Sequence, residues 1–348
     1  MRSHLRTHRG LDPSTARAIA NHVFNYFRWL RWLPETGDLR ARLIETEQLQ
    51  KRFNSDPNRF SDDEIVRLAV PDWLHEQMEV SPAWARSLQS EPVLWLRAKY
   101  SEAERIIDEL PDVASLPELP TALRYYGSED LFRSALFHAG AFELQDLSSQ
   151  IVGHSCAPKP GETWWDACAG EGGKMLHLSD LMQNKGLIWA SDRAAWRLQQ
   201  LKRRTARAGV FNYRAVPWNG TAKLPTKTRF DGVLVDAPCA GVGTWQRNPH
   251  ARWTTTAGDV TELSQVQLQL LRNVAPSLKK GGRLIYSVCT LTRAETTEVI
   301  TQFNASETGF RPVEARHPLT GQTNLETWIW PQDYQSNGMF ICAWERIN

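Results

Sequence analysis

The second half of the chain predicts an α/β fold in which a parallel sheet carries helices on both faces. Strand-like and helical patterns alternate from about residue 160, a glycine-rich turn follows the first strand, and an aspartate ends the second. The strand-like runs are Thr163–Ala167, Leu187–Ser191, Tyr213–Val216, Phe230–Val235 and Arg283–Val288. The helical runs are Lys174–Met182, Ala194–Ala208 and Ser264–Leu278. Since ligands of such sheets bind at the carboxyl ends of the strands, we expect the chemistry in the loops that follow them.

The length of 348 residues predicts two or three domains. Apolar residues recur at helical spacing in residues 1–70, which predicts a helical N-terminal region. Residues 71–150 begin at a proline and contain an alternating strand at Pro92–Lys99, so they predict a small α+β domain. The α/β domain then occupies residues 151–348.

Composition excludes several classes of protein. The net charge of +2 means that any surface for nucleic acid is local, and no apolar run is long enough to span a membrane. The first residues lack an apolar secretory segment, so we expect a cytoplasmic protein, by default a monomer. None of the five cysteines is spaced as Cys-x-x-Cys, so we expect neither a metal site nor a disulfide framework.

The loop from Asp166 to Lys174 has the composition of a ligand-binding turn. Its three glycines allow close approach of a ligand to the backbone. Met175 lies where a dinucleotide fingerprint needs glycine and where a Walker A loop needs serine or threonine, so both of those motifs fail. Asp192, after the second strand, could bind both hydroxyls of a ribose or could cap the next helix. We favour the ribose, and the pair predicts an adenosine-bearing cofactor without a pyrophosphate.

Two cysteines follow two neighbouring strands of the predicted sheet. Cys239 lies in the segment Asp236-Ala-Pro-Cys after the fourth strand, and Cys289 follows the fifth strand. Because parallel strands end at the same edge of a sheet, we expect both sulfurs and the carboxylate of Asp236 to lie close together.

The Gly-Gly-Lys, Asp-Ala-Pro-Cys and Tyr-Ser-x-Cys-Thr-Leu segments occur in the order seen in the Sun/Fmu/Nop family of RNA cytosine-C5 methyltransferases. The chain resembles this family, in its RsmB-like form, over roughly residues 71–348. The resemblance implies a Rossmann-like class I methyltransferase domain that uses S-adenosylmethionine.

The same resemblance implies roles for individual residues. Cys289 would add to carbon 6 of the cytosine, and Cys239 would assist removal of the carbon-5 proton and release of the product. Asp236 would hold the N3/N4 edge of the base. Lys174 would position the base or stabilise the thiolate, although an exposed lysine of the first helical turn is the alternative. The expected cofactor-binding residues are Cys168, Ala169, Gly170, Glu171, Gly172, Gly173, Lys174, Asp192, Asn219 and Asp236.

Two positions depart from the family pattern. Glu171 stands where proline is usual in the cofactor loop, and Asn219 stands where the family has an acidic residue near the adenine. We expect cofactor binding to persist with lower affinity, because asparagine can still donate and accept hydrogen bonds.

The expected partner is RNA, with ribosomal RNA as the leading substrate and transfer RNA as the second. Arg247, Arg252 and Trp253 follow the Cys239 loop and are expected RNA contacts. Basic residues of two other segments either contact RNA or are simply exposed to solvent. They are Arg2, His4, Arg6, His8 and Arg9 in the first, and Arg193, Arg197, Lys202, Arg203, Arg204, Arg207 and Arg214 in the second.

Two rival functions have specific support. Pro238-Cys239 also resembles the nucleophile loop of DNA cytosine-C5 methyltransferases, but those enzymes lack the second cysteine and carry a Glu-Asn-Val motif that is absent here. A catalytically weak RNA-binding ribosome-assembly factor would explain Glu171 and Asn219, but not the presence of both cysteines.

Overall fold

The computed structural model describes residues 12–348, so the basic arm expected at residues 1–9 lies outside the described part. The chain forms two compact units. One contains the N-terminal residues up to Pro92 together with 244–257, and the other contains 93–243 and 258–348. We call them the helical unit and the catalytic unit.

The helical unit is built from short capped helices. They are α1 (Pro13–Arg28), α2 (Leu39–Ser55), α3 (Asp62–Leu68) and α4 (Pro82–Ser87), with 3₁₀ turns at Leu30–Trp32, Pro57–Arg59 and Asp72–Glu76. Asp38, Ser61 and Ser81 begin α2, α3 and α4 by accepting a hydrogen bond from a backbone N–H of the first turn. Trp29 and Phe60 pack with ring centroids 5.2 Å apart in the core.

The predicted boundary at residue 71 differs from the structure. The turn at Asp72–Glu76 and helix α4 belong to the helical unit, and the first strand of the next region starts at Leu94. Proline at residue 71 begins a 3₁₀ turn rather than a linker.

The catalytic unit begins with a four-stranded antiparallel sheet, as expected for an α+β region. Its strands are β1 (Leu94–Ala98), β2 (Val113–Leu116), β3 (Leu119–Tyr125) and β4 (Phe142–Leu144), in the order β2-β3-β1-β4. Two short helices, α5 (Ala103–Glu109) and α6 (Ala135–His138), connect them. Leu96, Ile106, Leu123 and Phe142 form its buried core.

The second sheet of this unit has eight strands. They are β5 (Thr163–Asp166), β6 (Leu187–Ala190), β7 (Tyr213–Ala215), β8 (Phe230–Asp236), β9 (Leu278–Val288), β10 (Phe310–Val313), β13 (Glu326–Ile329) and β14 (Met339–Arg346), and β11 (Ala315–Arg316) pairs separately with β12 (Thr323–Asn324). The order is β10-β14-β9-β8-β5-β6-β7, with β13 beside β14. Strands β5 to β9 are parallel, and β14 is antiparallel to β9. This order confirms the Rossmann-like methyltransferase fold.

Seven more helices lie in the described residues of the catalytic unit and of segment 244–257. They are α7 (Leu147–Cys156), α8 (Gly173–Leu181), α9 (Ala195–Ala208), α10 (Ala251–Thr254), α11 (Ala257–Val274), α12 (Thr297–Ser306) and α13 (Pro331–Tyr334). Helix α10 lies in the segment that groups with the helical unit. Helix α11 corresponds to the helix predicted at Ser264–Leu278 but ends four residues earlier, because Pro276 cannot continue a helix and a 3₁₀ turn replaces it.

The sheet order places a topological switch at β5, whose neighbours are β6 on one side and β8 on the other. The loops after β5, β6, β8 and β9 therefore open at the carboxyl edge of the sheet, where a ligand crevice forms. Among residues 12–348, no helix is both long and apolar enough to cross a membrane. The same residues contain no group of three or more histidine, cysteine or acidic side chains that could hold a metal ion.

Candidate active site

The two predicted cysteines meet at the carboxyl edge of the sheet. Strands β8 and β9 pair in parallel with Asp236 opposite Ser287, so the chain leaves both strands at the same level. Cys289 follows β9 directly, and Cys239 lies three residues beyond β8. Their Sγ atoms are 3.3 Å apart, which is hydrogen-bonding distance for a thiol and a thiolate. One planar ring can therefore contact both sulfurs.

Asp236 connects the β8 loop to the cofactor loop. Its Oδ2 accepts a hydrogen bond from Lys174 Nζ at 2.6 Å, and its Oδ1 accepts one from Ser287 Oγ at 2.8 Å. Lys174 is 11% exposed, so the alternative of a solvated lysine is wrong. Burial disfavours its charged form, yet the carboxylate of Asp236 and the thiolate of Cys289 together raise the pKa of Lys174 above its ordinary value.

The glycine loop has the backbone conformation that its sequence suggested. Gly170 and Gly172 have φ values of +54° and +89°, and Gly172 begins helix α8. A Cβ on Gly172 would lie 2.8 Å from Cγ of Leu201, so packing against α9 also requires glycine there. Asp192 holds this loop, since its Oδ2 accepts from Gly170 N at 3.0 Å and its Oδ1 from Ala194 N at 2.7 Å.

A pocket of about 390 Å³ lies beside the two sulfurs. It is lined by Ala167, Cys168, Ala169, Gly170, Asp192, Arg193, Arg197, Trp218, Asn219, Gly220, Asp236, Ala237, Pro238, Cys239, Val266, Leu270 and Cys289. The buried ring of Trp218 and the side chains of Val266 and Leu270 make an apolar wall, and Asp192, which contacts the glycine loop, supplies a carboxylate. An apolar wall with a convergent carboxylate fits an adenosine-bearing cofactor.

Most of the predicted cofactor residues line this pocket, but the second half of the glycine loop does not. Gly172 and Gly173 instead form the start of α8. The side chain of Glu171 is exposed, and its backbone carbonyl accepts a hydrogen bond from Arg204. The glutamate that replaces the family's proline therefore points away from the pocket lining.

Comparison with known proteins identifies the family. The family described as "16S rRNA methyltransferase RsmB/F" matches residues 154–345, more than half of the chain. A probable ribosomal RNA small subunit methyltransferase B from Synechocystis is 34% identical over 95% of this chain and 83% of its own length. The chain belongs to the RsmB/F family. It is an RNA methyltransferase that uses S-adenosylmethionine.

Two further comparisons are narrower. The mouse tRNA (cytosine(72)-C(5))-methyltransferase NSUN6 is 36% identical to this RsmB/F chain over 45% of it, and the match spans 35% of the mouse protein. A crystal structure of a methyltransferase homologue from Pyrococcus horikoshii is 22% identical, has a TM-score of 0.70, and covers 84% of this chain and 100% of its own. At that identity the likeness shows the fold alone.

The two sulfurs of this RsmB/F-family protein differ in their surroundings. The Cys239 thiol shares a hydrogen bond with Cys289, is half-buried, and faces the negative charges of Cys289, Glu295 and Asp236. These causes, in that order, raise the pKa of the Cys239 thiol well above its ordinary value. Cys239 is therefore the sulfur that keeps a proton.

Asp166 opens the glycine loop, and the sequence alone predicts no role for it. It ends β5 and is 1% exposed, and neither side-chain oxygen accepts a well-formed hydrogen bond among the described residues, although the nearby backbone N–H of Cys168 stabilises its charge. Burial, followed by the charge of Asp236, raises the pKa of its carboxyl to about 7. The carboxyl of Asp166 therefore titrates near neutral pH, far above an ordinary aspartate.

The expectation that Arg252 contacts RNA is wrong. Its side chain is fully buried in the helical unit, where it donates to the carbonyl oxygens of Ala69 at 3.0 Å, Leu88 at 2.9 Å and Arg28 at 3.5 Å. These carbonyls stand at the carboxyl ends of α3, α4 and α1, which carry partial negative charge. Trp253 likewise donates from Nε1 to the carbonyl of Phe27 at 2.6 Å. Arg247 is exposed.

The basic run on α9 is not one uniform surface. Arg204 and Arg207 both pair with Glu143 of β4, a carboxylate that is 5% exposed, and so attach α9 to the small sheet. Lys202 and Arg203 are exposed on the same helix. Only part of this run is therefore available to a large ligand.

Proposed function

We propose that this protein transfers a methyl group to carbon 5 of a cytosine in RNA, with ribosomal RNA as the substrate and Cys289 as the nucleophile. The observation that carries the proposal is the 3.3 Å separation of the Cys239 and Cys289 sulfurs beside a pocket suited to adenosine. Two sulfurs at one pyrimidine suit a reaction that needs a covalent attack on the ring and a later proton removal.

Carbon 5 of cytosine is a poor nucleophile until a thiolate adds to carbon 6. Cys289 forms that bond, and the carboxylate of Asp236 accepts hydrogen bonds from the N3/N4 edge, which favours the N3-protonated form of the base in the adduct. S-adenosylmethionine supplies an electrophilic methyl group when it is bound. Cys239 then assists removal of the carbon-5 proton, the electron pair of that C–H bond re-forms the ring double bond, and the bond between Cys289 and carbon 6 breaks.

The assignment of attack to Cys289 has electrostatic support. Lys174 interacts attractively with a Cys289 thiolate, whereas Cys239 faces the carboxylates of Glu295 and Asp236. A negative charge on Cys239 is thus disfavoured. Lys174 also keeps Asp236 in place through their 2.6 Å contact.

The cofactor would lie between the glycine loop and the apolar wall. Asp192 is placed to accept hydrogen bonds from the ribose hydroxyls, although it already accepts from two backbone N–H groups. The other residues placed to contact the cofactor are Cys168, Ala169 and Gly170 through their backbone, and Asn219 through its side chain at the adenine end. A target cytosine must leave its helix or be unpaired to reach the sulfurs.

Ribosomal RNA is the leading substrate because of the family match and the Synechocystis relative that spans nearly all of this chain. The mouse relative acts on transfer RNA, as its name says, and supports that substrate as the second candidate over a smaller part of the chain.

Covalent trapping tests the proposal. Each cysteine is replaced by alanine, and the variants are incubated with unmodified 16S ribosomal RNA transcript and S-adenosylmethionine. We expect Cys239→Ala to accumulate an RNA adduct that survives denaturing electrophoresis, because release is impaired. Cys289→Ala should form no adduct and no 5-methylcytosine, as read by bisulfite sequencing.

The opposite result would contradict the assignment. An adduct that needs Cys239 and persists without Cys289 would indicate the chemistry of the DNA enzymes. If calorimetry detected no binding of S-adenosylmethionine at about millimolar concentration, well above typical enzyme affinities, the non-catalytic assembly factor would be favoured.

A further inference from the structure

A buried carboxylate stands between the two cysteine loops. Glu295 lies six residues beyond Cys289, in a 3₁₀ turn before α12, and its side chain is 0% exposed. Neither the covalent attack nor the cofactor pocket uses it. Burying a carboxylate costs free energy of folding unless hydrogen-bond donors surround it.

Four neutral donors converge on Glu295. Oε1 accepts from the backbone N–H of Ala240 at 2.8 Å and from Nε2 of Gln267 at 3.0 Å. Oε2 accepts from the hydroxyls of Thr290 at 3.0 Å and Thr292 at 2.8 Å. A carboxylate offers about four lone-pair positions, and all are filled.

Three of the four donors come from the two cysteine loops, and the fourth, Gln267, lies in α11. Ala240 is the residue after Cys239, and Thr290 is the residue after Cys289. Gln267 extends the connection, since its Nε2 also donates to the carbonyl of Pro238 at 2.9 Å. A single side chain thereby fixes the backbone beside each sulfur.

We propose that Glu295 is a positioning residue that holds the two cysteine loops together and keeps the proton of the sulfur pair on Cys239. This inference rests on the proposed function, in which Cys289 attacks as a thiolate. It assigns Glu295 no contact with the cytosine or the cofactor.

The charges around Cys239 support the second half of the proposal. The groups that face it are Cys289 on the β9 loop, Glu295 on the following turn, and Asp236 on β8, whose own charge is paired with Lys174. The hydrogen bond to Cys289 and burial are the largest causes of the raised pKa of Cys239, and the charge of Glu295 adds to them. Removing that charge should lower the pKa of Cys239 and let it compete for the negative charge.

Two substitutions separate position from charge. In Glu295→Gln the amide oxygen can still accept from Ala240 and Gln267, and the amide NH₂ can donate to the two threonine hydroxyls, which rotate. This variant removes the charge and keeps the connection. Glu295→Ala removes both and leaves buried donors without a partner. Glu298→Gln is the matched control, because Glu298 is exposed three residues away and pairs with Arg293.

Thiol alkylation tests the proposal without RNA or cofactor. The full chain is treated with iodoacetamide over a range of pH, and mass spectrometry of the cysteine peptides reports each sulfur separately. In the wild type and in Glu298→Gln we expect Cys289 to react first. In Glu295→Gln we expect alkylation of Cys239 at about pH 7.5 to rise roughly fivefold, with its midpoint shifted to lower pH.

Methyl transfer gives a second readout on the same variants. With 16S ribosomal RNA transcript, single-turnover methylation by Glu295→Gln should fall about tenfold and that by Glu295→Ala further, while circular dichroism reports folding. An unchanged pH profile of Cys239 alkylation in folded Glu295→Gln overturns the proposal. Because alkylation needs no RNA, that failure is distinct from a failure of the proposed function, which would appear as absent methylation by the wild type.

Discussion

The helical unit and the catalytic unit each bury one charged side chain that satisfies several groups at once, but with different consequences. Arg252 donates to carbonyls at the ends of three helices, whereas Glu295 accepts from two loops that carry the cysteines. Neither relies on an opposite charge. The three helix ends offset the charge of the arginine, and four neutral donors offset that of the glutamate.

The contacts decide what each charge does. Arg252 contacts only backbone carbonyls of its own unit, and none of these belongs to a residue with a proposed role in methyl transfer. Replacing Arg252 should therefore affect folding and leave the chemistry of folded molecules intact. Glu295 touches the residues next to both sulfurs, so its loss should affect chemistry even where the fold survives. Stability and activity measurements on matched variants test whether the two charges differ in this way.

The largest expected effect is on the helical unit. Replacing Arg252 by methionine leaves the carbonyls of Ala69 and Leu88 buried without a donor, and each such loss costs about 1–3 kcal/mol. We expect Arg252→Met to lower the free energy of unfolding by about 3 kcal/mol or more, measured by urea denaturation. The methylation rate per folded molecule should stay within about twofold of the wild type.

Arg40→Met is the control for this substitution, since Arg40 is exposed on α2 and its loss should change stability by less than about 0.5 kcal/mol. If Arg252→Met unfolded no more easily than Arg40→Met but bound RNA less tightly, the original expectation of an RNA contact would return.

A second buried carboxylate extends the contrast, because among residues 12–348 neither oxygen of Asp166 accepts a well-formed hydrogen bond, whereas Glu295 accepts four. Its pKa is raised from 3.8 to about 7, so the folded state favours the protonated acid. The stability that the proton provides is complete below the ordinary pKa and is lost as the pH rises towards 7. We expect Asp166→Asn to stabilise the protein by about 2 kcal/mol at about pH 8.5 and much less at about pH 4.5.

Thermal unfolding over that range of pH measures the change in stability caused by Asp166→Asn. We expect this change to be smaller than the one caused by Arg252→Met. Glu295→Gln gives the comparison: burial raises the pKa of Glu295 as well, but its four hydrogen-bond donors act against that rise. We therefore expect Glu295→Gln to change stability at about pH 8.5 by less than Asp166→Asn does. Equal Tm differences for Asp166→Asn at both pH values would show that the carboxyl of Asp166 is not the titrating group.

The sequence was sufficient to predict the meeting of the two cysteines for a topological reason. Both follow strands of a parallel sheet, and the carboxyl ends of neighbouring strands share an edge, so no knowledge of side-chain packing was needed. The glycine loop was predictable for a similar reason, because positive φ values select glycine locally. Their roles in methyl transfer stay predictions.

The sequence was insufficient for Glu295 and Arg252 because both depend on tertiary packing. Glu295 follows Thr292, Arg293 and Ala294, a polar run that has the composition of an exposed turn. Arg252 lies thirteen residues after Cys239, which suggested proximity to the RNA, but its segment folds with the helical unit. A lone arginine in a basic segment carries no local signal that distinguishes a helix cap from a phosphate contact.

The smallest expected effect concerns the surface of α9, where one of two adjacent arginines is paired with a buried carboxylate and the other is exposed. Arg204 pairs with the buried Glu143 at 2.8 Å, and Arg203 is exposed. We expect Arg203→Gln to weaken binding of 16S ribosomal RNA transcript about threefold and to reduce the salt slope of binding by about 1. Arg204→Gln should leave that slope unchanged and cost about 1–2 kcal/mol of stability. Filter binding at several salt concentrations distinguishes them, and equal slopes for both variants and the wild type would remove α9 from the RNA surface.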